Sequence, residues 1–147
     1  MDIVRANEND LKKVAVLFDQ YRQFYKQLSN VEGAYHFLAE RYGKQESILF
    51  VAKEDEQYLG FVQLYPTFSS VSMKDSFILN DLFVIEDSRQ MGIGKQLMEK
   101  AFSFANDKGA RFISLETATS NTKAQQLYEK MGMTIDSSTQ HYIYYWD

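Results

Sequence analysis

A glycine-bearing turn between a strand and a helix is the segment of this chain with the residue types and spacing needed to hold a pyrophosphate. It covers residues 84–97, with the sequence VIEDSRQMGIGKQL. Gly92 and Gly94 let the backbone approach a ligand where a Cβ would obstruct it. The N–H groups of the helix's first turn have no partner within the helix and point at the phosphate oxygens. The segment therefore predicts a nucleotide-like ligand.

Two common phosphate-binding motifs do not fit this turn. A dinucleotide fingerprint needs a third glycine where Leu97 stands, which disfavours a NAD-type ligand. A P-loop needs glycine at Arg89 and a hydroxyl at Gln96, which disfavours hydrolysis of ATP or GTP. What remains is the spacing Arg89-x-x-Gly92-x-Gly94.

Length and composition predict one ordinary domain spanning residues 1–147, with a single core. No segment approaches the roughly 18 apolar residues that span a bilayer, and the first residues lack the basic-then-apolar order of a signal peptide, so a cytoplasmic protein that binds no membrane is expected. The net charge of −4 and the lack of a basic cluster disfavour nucleic acid as a partner. The chain has no cysteine and two isolated histidines, so neither a thiol nucleophile nor a structural zinc site is expected.

Hydrophobic periodicity predicts alternating strands and helices in the order β-α-α-β-β-β-α-β-α-β-β. Strands are expected at 3–5, 48–52, 58–65, 77–84, 111–117, 133–135 and 141–146, and helices at 10–28, 31–42, 92–107 and 121–131. Pro66 is expected to end the third strand, a serine-rich loop is expected at 67–75, and Asn80 and Asp81 interrupt the central strand. The aromatic segment 141–146 predicts either burial between layers or a contact between subunits.

A second motif lies on the predicted helix 121–131. The segment 121–133 reads NTKAQQLYEKMGM and places Asn121, Ala124 and Tyr128 on one helix face. Together the two motifs resemble the R/Q-x-x-G-x-G/A and N-x-x-A-x-x-L-Y-x-x-x-G-F/M patterns of the GCN5-related N-acetyltransferases (GNAT family). The resemblance covers essentially the whole chain. Segments 24–25, 63–66 and 68–72 are also similar to a bacterial branch related to the yeast histone and polyamine acetyltransferase Hpa2.

The resemblance implies an α/β (α+β) fold with a mixed, mostly antiparallel central sheet of about 6–7 strands flanked by about four helices. It also implies acetyl-CoA as co-substrate, with the main chain of Val84 beside the pantetheine arm and Tyr128 as general acid. The residues expected to hold the pyrophosphate are Arg89, Gln90, Met91, Gly92, Ile93, Gly94 and Lys95. Asn121 is expected to bind the cofactor, to cap its helix, or both.

A general base is useful because an alkylammonium with a pKa near 10.4 must lose a proton before its nitrogen can attack. Asp81 and Glu116 are the candidates, and Asp81 is preferred because its neighbours on the central strand alternate with apolar residues. An unpaired carboxylate there is costly, which suggests a purpose. An ion pair, or a position facing out from a bulge, remains the alternative for Asp81.

The expected function is an N-acetyltransferase that moves the acetyl group of acetyl-CoA directly to a primary amine in a ternary complex. The alternative is a noncatalytic CoA-binding or regulatory module. The acceptor stays open among a polyamine, an aminoglycoside-like amine, an amino acid, a peptide N-terminus and a protein lysine. A homodimer through the C-terminal strands is also expected.

Overall fold

The computed structural model describes residues 1–146. The chain divides into two units, Met1–Glu116 and Thr117–Asp147. In the first unit the strands are β1 (Asp2–Arg5), β2 (Ile48–Glu54), β3 (Gln57–Ser69), β4 (Lys74–Val84) and β5 (Ile113–Ser114), and the helices are α1 (Leu11–Phe24), α2 (Val31–Gly43) and α3 (Ile93–Asp107). Helix α4 (Thr122–Lys130) lies in the second unit. Short 3-10 turns cover Glu8–Asp10 and Glu86–Ser88.

The five strands form one sheet in the order β1-β2-β3-β4-β5. All neighbours are antiparallel except β4 and β5, which run parallel and pair only through Phe77 with Ile113 and Ile78 with Ser114. The predicted mixed, mostly antiparallel sheet with about four helices is confirmed. The strand count differs, since the part of the chain that the structure describes has five strands rather than six or seven.

Helices cover both faces of the sheet, as the side chains of paired strands show. Phe61 of β3 meets the ring of Phe18 on α1, with centroids 6.2 Å apart. Phe50 of β2 meets Phe104 on α3, with centroids 5.7 Å apart. Because Phe61 pairs with Val51, the neighbour of Phe50, the two rings point to opposite faces of the pleated sheet. Helices α1 and α3 therefore cover opposite faces.

Strand β3 continues through Pro66, so the prediction that this proline ends the strand is wrong. Pro66 pairs with Phe77, whose N–H donates to Phe112 on the other side of β4. The nitrogen of Pro66 therefore faces the side of β3 on which β2 lies. Strand β2 pairs with β3 only as far as Leu64, so it does not extend to Pro66. Because no ladder bond is lost, the proline is tolerated. The expected loop at 67–75 is likewise mostly strand, with a turn at 70–73.

A β-bulge interrupts β4 at the position that the sequence predicts. Gln63 pairs with Asp81 and Leu64 with Leu79, which leaves Asn80 without a cross-strand partner. An inserted residue reverses the alternation of side chains along the strand. The bulge therefore turns Asp81 and Phe83 to the α1 face, beside Gln63 and Phe61 of β3.

Helix α1 ends at Phe24 rather than at residue 28 because Lys26 adopts φ 65°, which no α-helix accommodates. Strand β5 is likewise shorter than the predicted 111–117. Helices α2, α3 and α4 confirm the predictions to within a residue or two. No helix in the described chain is both long and apolar enough to cross a membrane.

The strands predicted at 133–135 and 141–146 do not form within residues 1–146. The side chains of Tyr142, Tyr144, Tyr145 and Trp146 are all exposed there. Aromatic residues favour strands only where a neighbouring strand takes up their backbone groups and side chains, and these residues pair with none. The predicted C-terminal strands are therefore wrong.

Candidate active site

The glycine loop joins the end of β4 to the start of α3. After the 3-10 turn, Gln90 adopts φ 65° and Gly92 adopts φ 78°, and helix α3 begins at Ile93. Both residues are left-handed, a conformation that a Cβ makes costly. A Cβ built at Gly92 would meet nothing within 4 Å. Gly92 is therefore needed for the course of the backbone, and the space beside it stays open to a ligand.

The N-terminus of α3 suits a phosphate. Gly92 is its N-cap and supplies no side-chain cap, and the first helical bond runs from the N–H of Gln96 to the carbonyl of Gly92. The backbone N–H groups of Ile93, Gly94 and Lys95 precede that bond and carry the positive end of the helix dipole. A pyrophosphate accepts from groups in this arrangement.

The loop's side chains differ in what they do. Ile93 is 4% exposed and anchors the helix in the core, so only its backbone faces a ligand. Met91 is exposed, and Lys95 forms a loose pair with Glu99, 3.9 Å away on the helix surface. A surface pair of this length contributes little to stability.

Arg89 is tied to the end of β4. Its Nε donates a 2.9 Å hydrogen bond to the carbonyl of Val84, and its guanidinium lies 5.5 Å from the centroid of the Phe83 ring. The side chain therefore fixes the loop against the strand, and its charge stands beside the predicted pyrophosphate site.

One edge of β4 is open near this loop. The N–H of Ile85 donates to the carbonyl of Leu59, so antiparallel alternation turns the N–H and carbonyl of Val84 away from β3. Strand β5 pairs with β4 only at Phe77 and Ile78 and does not cover residues 79–84. Among residues 1–146, no strand therefore covers the edge where Val84 is predicted to meet the pantetheine arm.

Asp81 lies under helix α1 and is 3% exposed. Its carboxylate accepts a 2.5 Å hydrogen bond from Nε2 of Gln63 and a 3.1 Å bond from Nδ2 of Asn80. Burial raises the pKa of Asp81, although these bonds and the nearby Tyr21 hydroxyl oppose the rise. Asp81 forms no ion pair with any residue of 1–146 and does not face outward. Neither the ion pair nor the outward-facing position is therefore found among these residues, and the role of Asp81 as general base stays a prediction.

Two tyrosines and an amide complete the surroundings of Asp81. The hydroxyl of Tyr21 donates a 3.2 Å bond to the carbonyl of Asn80, and Nε2 of Gln63 also lies 3.3 Å from the hydroxyl of Tyr65. Burial, and then the charge of Asp81, raise the pKa of Tyr65 to about 12. Burial and Asp81 also raise the pKa of Tyr21. Both phenols therefore stay protonated at neutral pH.

Oε1 of Gln63 is buried and has no hydrogen-bond partner within the described residues. An unsatisfied buried acceptor is costly, and a ligand that donates an N–H would remove the cost. Neither Gln63 nor Tyr65 was predicted as a site residue from the sequence. Gln63 could have been found by the signal that marks Asp81, a polar side chain within the apolar run of a strand.

A surface cleft of about 570 Å³ opens at the other end of the sheet, between the starts of β2 and β4. Its lining includes Arg5, Phe77 and Phe104 but neither Asp81 nor any residue of the glycine loop. Asp75 and Lys108 also line the cleft, but none of the motif residues does, so the candidate site is the Asp81 cluster with the glycine loop.

The remaining predicted site residues belong to the second unit. Oδ1 of Asn121 accepts a 3.2 Å bond from the N–H of Ala124, so Asn121 caps α4. Tyr128 is half-buried on α4, seven residues beyond Asn121 and therefore on the same helix face. The capping role of Asn121 is confirmed, and its role toward the cofactor stays a prediction, as does the role of Tyr128.

A mixed sheet with helices on both faces, a strand–glycine loop–helix connection and an open strand edge define the class to which the protein belongs. The family described as acetyltransferase (GNAT) family matches residues 14–133, and the chain is therefore an acetyltransferase of the GNAT family. Members of this family generally use acetyl-CoA as co-substrate.

The chain is similar to known proteins along its length. It is 45% identical over 142 residues to the uncharacterized N-acetyltransferase YhfO of Bacillus subtilis, covering 97% of this chain and 95% of that protein. A crystal structure of a probable acetyltransferase has a TM-score of 0.95 and 37% identity, covering 100% of this chain and 99% of the other. A shorter match, 31% identical over 78 residues, is the D-amino-acid N-acetyltransferase HPA3 of Saccharomyces cerevisiae, covering 53% of this chain and 48% of that protein.

Proposed function

We propose that this acetyltransferase moves the acetyl group of acetyl-CoA directly onto a primary amine, within a complex that holds both substrates. The observation that carries the proposal is the buried carboxylate of Asp81, which lies on the same strand that leads into the glycine loop. The chain has no cysteine to carry an acetyl group, which supports direct transfer.

In this proposal the backbone from Arg89 to Lys95 binds the pyrophosphate, and the main chain of Val84 meets the pantetheine arm. The open edge of β4 and the uncapped N-terminus of α3 support these assignments. Asn121 adds a contact to the cofactor while it caps α4. The acetyl thioester then lies along β4, toward the bulge at Asn80.

The transfer needs three proton movements: the acceptor ammonium loses a proton before attack, its nitrogen loses a second proton after the C–N bond forms, and the departing thiolate gains one from Tyr128, which recovers its proton from that nitrogen through water. The neutral amine nitrogen attacks the thioester carbonyl carbon, a C–N bond forms, and the C–S bond breaks. Asp81 takes the proton from the incoming ammonium, through a water molecule because the carboxylate is buried. Its raised pKa makes it a better base than an exposed aspartate.

Tyr128 gives a proton to the departing thiolate. A phenol of pKa near 10 protonating a thiolate whose acid has a pKa near 8.5 is uphill by about 2 kcal/mol, which positioning can offset. This role rests on the match of residues 121–133 to the family pattern.

The direct test is acetyl-CoA turnover by the purified full-length protein across a panel of primary amines. Thiol release and the acetylated product are measured together, and CoA binding is measured by calorimetry. We expect product to form in step with thiol. A protein that binds CoA and acetylates no amine would overturn the proposal and favour a binding module.

The protein also forms a homodimer in this proposal, through the segment 141–146. The support is the exposure of Tyr142, Tyr144, Tyr145 and Trp146, which is 77% or more for each side chain. Exposed apolar patches of this kind commonly mark contact sites. Sedimentation velocity tests the dimer, and the single tryptophan of the chain reports burial of Trp146 through its emission wavelength. A monomer with solvent-exposed emission at all concentrations would overturn it.

A further inference from the structure

Three aromatic side chains of α1 and its C-cap form a continuous path from the surface inward. The rings of Phe24 and Tyr25 have centroids 5.3 Å apart, and those of Tyr25 and Tyr21 are 5.0 Å apart. Phe24 is 61% and Tyr25 47% exposed, whereas Tyr21 is half-buried. We call these three rings the aromatic ladder. Its outer rings offer an apolar surface to solvent.

The ladder ends at the Asp81 cluster. The ring of Tyr21 packs edge-on against Phe61 at 6.1 Å and Phe83 at 6.4 Å, and its hydroxyl bonds the carbonyl of Asn80. Tyr21 also interacts electrostatically with both Tyr25 and Asp81. Next to Asp81, whose carboxylate accepts bonds from Gln63 and Asn80, Oε1 of Gln63 is an acceptor without a partner among residues 1–146. A charged donor at the inner end would satisfy both groups.

The charges around the ladder favour one positive charge on the ligand, not two. Asp81 is the carboxylate at its inner end. The nearest acid along α1, Asp19, already accepts bonds from Gln23, Ser29 and the N–H of Asn30, at 2.9, 2.7 and 2.6 Å. Arg22 lies three residues before Tyr25 and Lys26 directly after it, and they bring two positive charges to this end of α1. These charges disfavour a second ammonium on the acceptor at this end of α1.

We propose that the acceptor is a primary amine that carries one positive charge and an aromatic or apolar body. Its ammonium group is directed to Asp81 and Gln63, and its body lies on the rings of Phe24 and Tyr25. This inference rests on the proposed function and names the acceptor class of that site. Phe24 and Tyr25 are specificity-determining residues in it, and Tyr21 is the residue that an acceptor must displace to reach Asp81.

The test is the selectivity of the full-length enzyme among three amines. 2-Phenylethylamine has one charge and a ring, ethylamine has the same head without a ring, and 1,4-diaminobutane has two charges. We expect kcat/KM for 2-phenylethylamine to exceed that of the other two by about 10-fold or more, since burying an apolar body lowers KM. In Phe24→Ala and Tyr25→Ala the ratio of 2-phenylethylamine to ethylamine should fall by about 3- to 10-fold.

Phe68→Ala is the matched control, because Phe68 is a 75% exposed aromatic residue near the turn between β3 and β4. It should leave the ratio unchanged. Three outcomes overturn the inference while the proposed function survives: a preference for the diamine, equal turnover of 2-phenylethylamine and ethylamine, or a Phe68→Ala effect equal to that of Phe24→Ala. If none of the amines is acetylated although CoA binds, the proposed function fails, and the acceptor class fails with it.

Discussion

The side-chain amide of Gln63 donates a 2.5 Å hydrogen bond to the carboxylate of Asp81 across strands β3 and β4. Both side chains are at least 97% buried, since their exposures are 0% and 3%. A buried carboxylate without an ion pair lowers the stability of a fold and is retained where it has a function. In the proposed function, the pair is therefore the place in the sheet where stability and activity are opposed.

Asp81→Asn should stabilise the protein at neutral pH while it lowers kcat by about 10²- to 10⁴-fold, the usual contribution of a general base. Burial raises the folded-state pKa of Asp81 above the ordinary 3.8, despite the opposing hydrogen bonds. Asp81 therefore makes its full contribution to stability at a pH below its unfolded-state pKa. That contribution is lost as pH rises through its folded-state pKa. Thermal melting from acidic to neutral pH should show a growing advantage of the variant.

Asp19→Asn is the control for that experiment, because its effect on stability at neutral pH should have the opposite sign. Asp19 is also buried, but its three hydrogen bonds outweigh burial and lower its pKa. Its stabilising contribution is present above the unfolded-state pKa and is lost as pH falls through the folded-state pKa. The Asn variant of Asp19 should thus be less stable at neutral pH. If both variants shift the melting temperature in the same direction, the account of Asp81 is wrong.

Gly92→Ala should weaken CoA binding by about 10-fold or more, because the φ of 78° strains a residue with a Cβ and shifts the first turn of α3. The cost in folding free energy should be about 1–2 kcal/mol. Gly109→Ala is a matched control, since Gly109 has φ 72° and likewise no atom within 4 Å of a built Cβ. Calorimetry should show normal CoA affinity for the control despite a similar loss of stability. Equal CoA affinities in the two variants would contradict the role of the loop.

Arg89→Lys separates the charge of Arg89 from its bond to Val84. Lysine keeps the positive charge but lacks the Nε–H that donates to the Val84 carbonyl at 2.9 Å. If Arg89 positions the loop, Arg89→Lys and Arg89→Ala should both raise KM for acetyl-CoA, by about 10-fold. If Arg89 acts through charge alone, only the alanine variant should do so. Lys95→Ala provides the comparison for a loop cation that pairs weakly with Glu99.

Tyr128→Phe should lower kcat by about 10²- to 10⁴-fold with little change in the affinity for CoA, because it removes the proton donor and keeps the ring. Tyr35→Phe is the control, as Tyr35 is a half-buried tyrosine on helix α2 to which no role in the transfer is assigned. Steady-state turnover and CoA calorimetry measure the two quantities separately. Unchanged turnover in Tyr128→Phe would remove Tyr128 from the role of general acid.

Local signals in the sequence were sufficient for much of the fold. Gly92 and Gly94 predict the loop, because a left-handed turn and an open helix N-terminus depend on only a few consecutive residues. The start of α4 at Asn121 and the interruption of β4 at Asn80 are confirmed for the same reason. Capping and helical periodicity act over a turn or two of chain, so they can be seen without knowing the neighbours.

Features that depend on distant partners could not be predicted in this way. Pro66 lies within a strand because β2 ends opposite Leu64, a fact of register and not of local sequence. The aromatic residues of 141–146 have high strand propensity, but strands form only where another strand pairs with them. Tyr21 touches the cluster through a contact with Asn80, 59 positions away along the chain, which no local pattern could show.

The sequence by itself determined the family of this protein, its glycine loop and the presence of a costly carboxylate at Asp81. Only the tertiary structure decided what surrounds that carboxylate. The bulge at Asn80 sets the register that brings Asp81 opposite Gln63, and the packing of α1 brings Tyr21 and its neighbouring rings over the pair. Register and packing depend on many residues far apart in the chain, whereas the loop depends on a few that are consecutive.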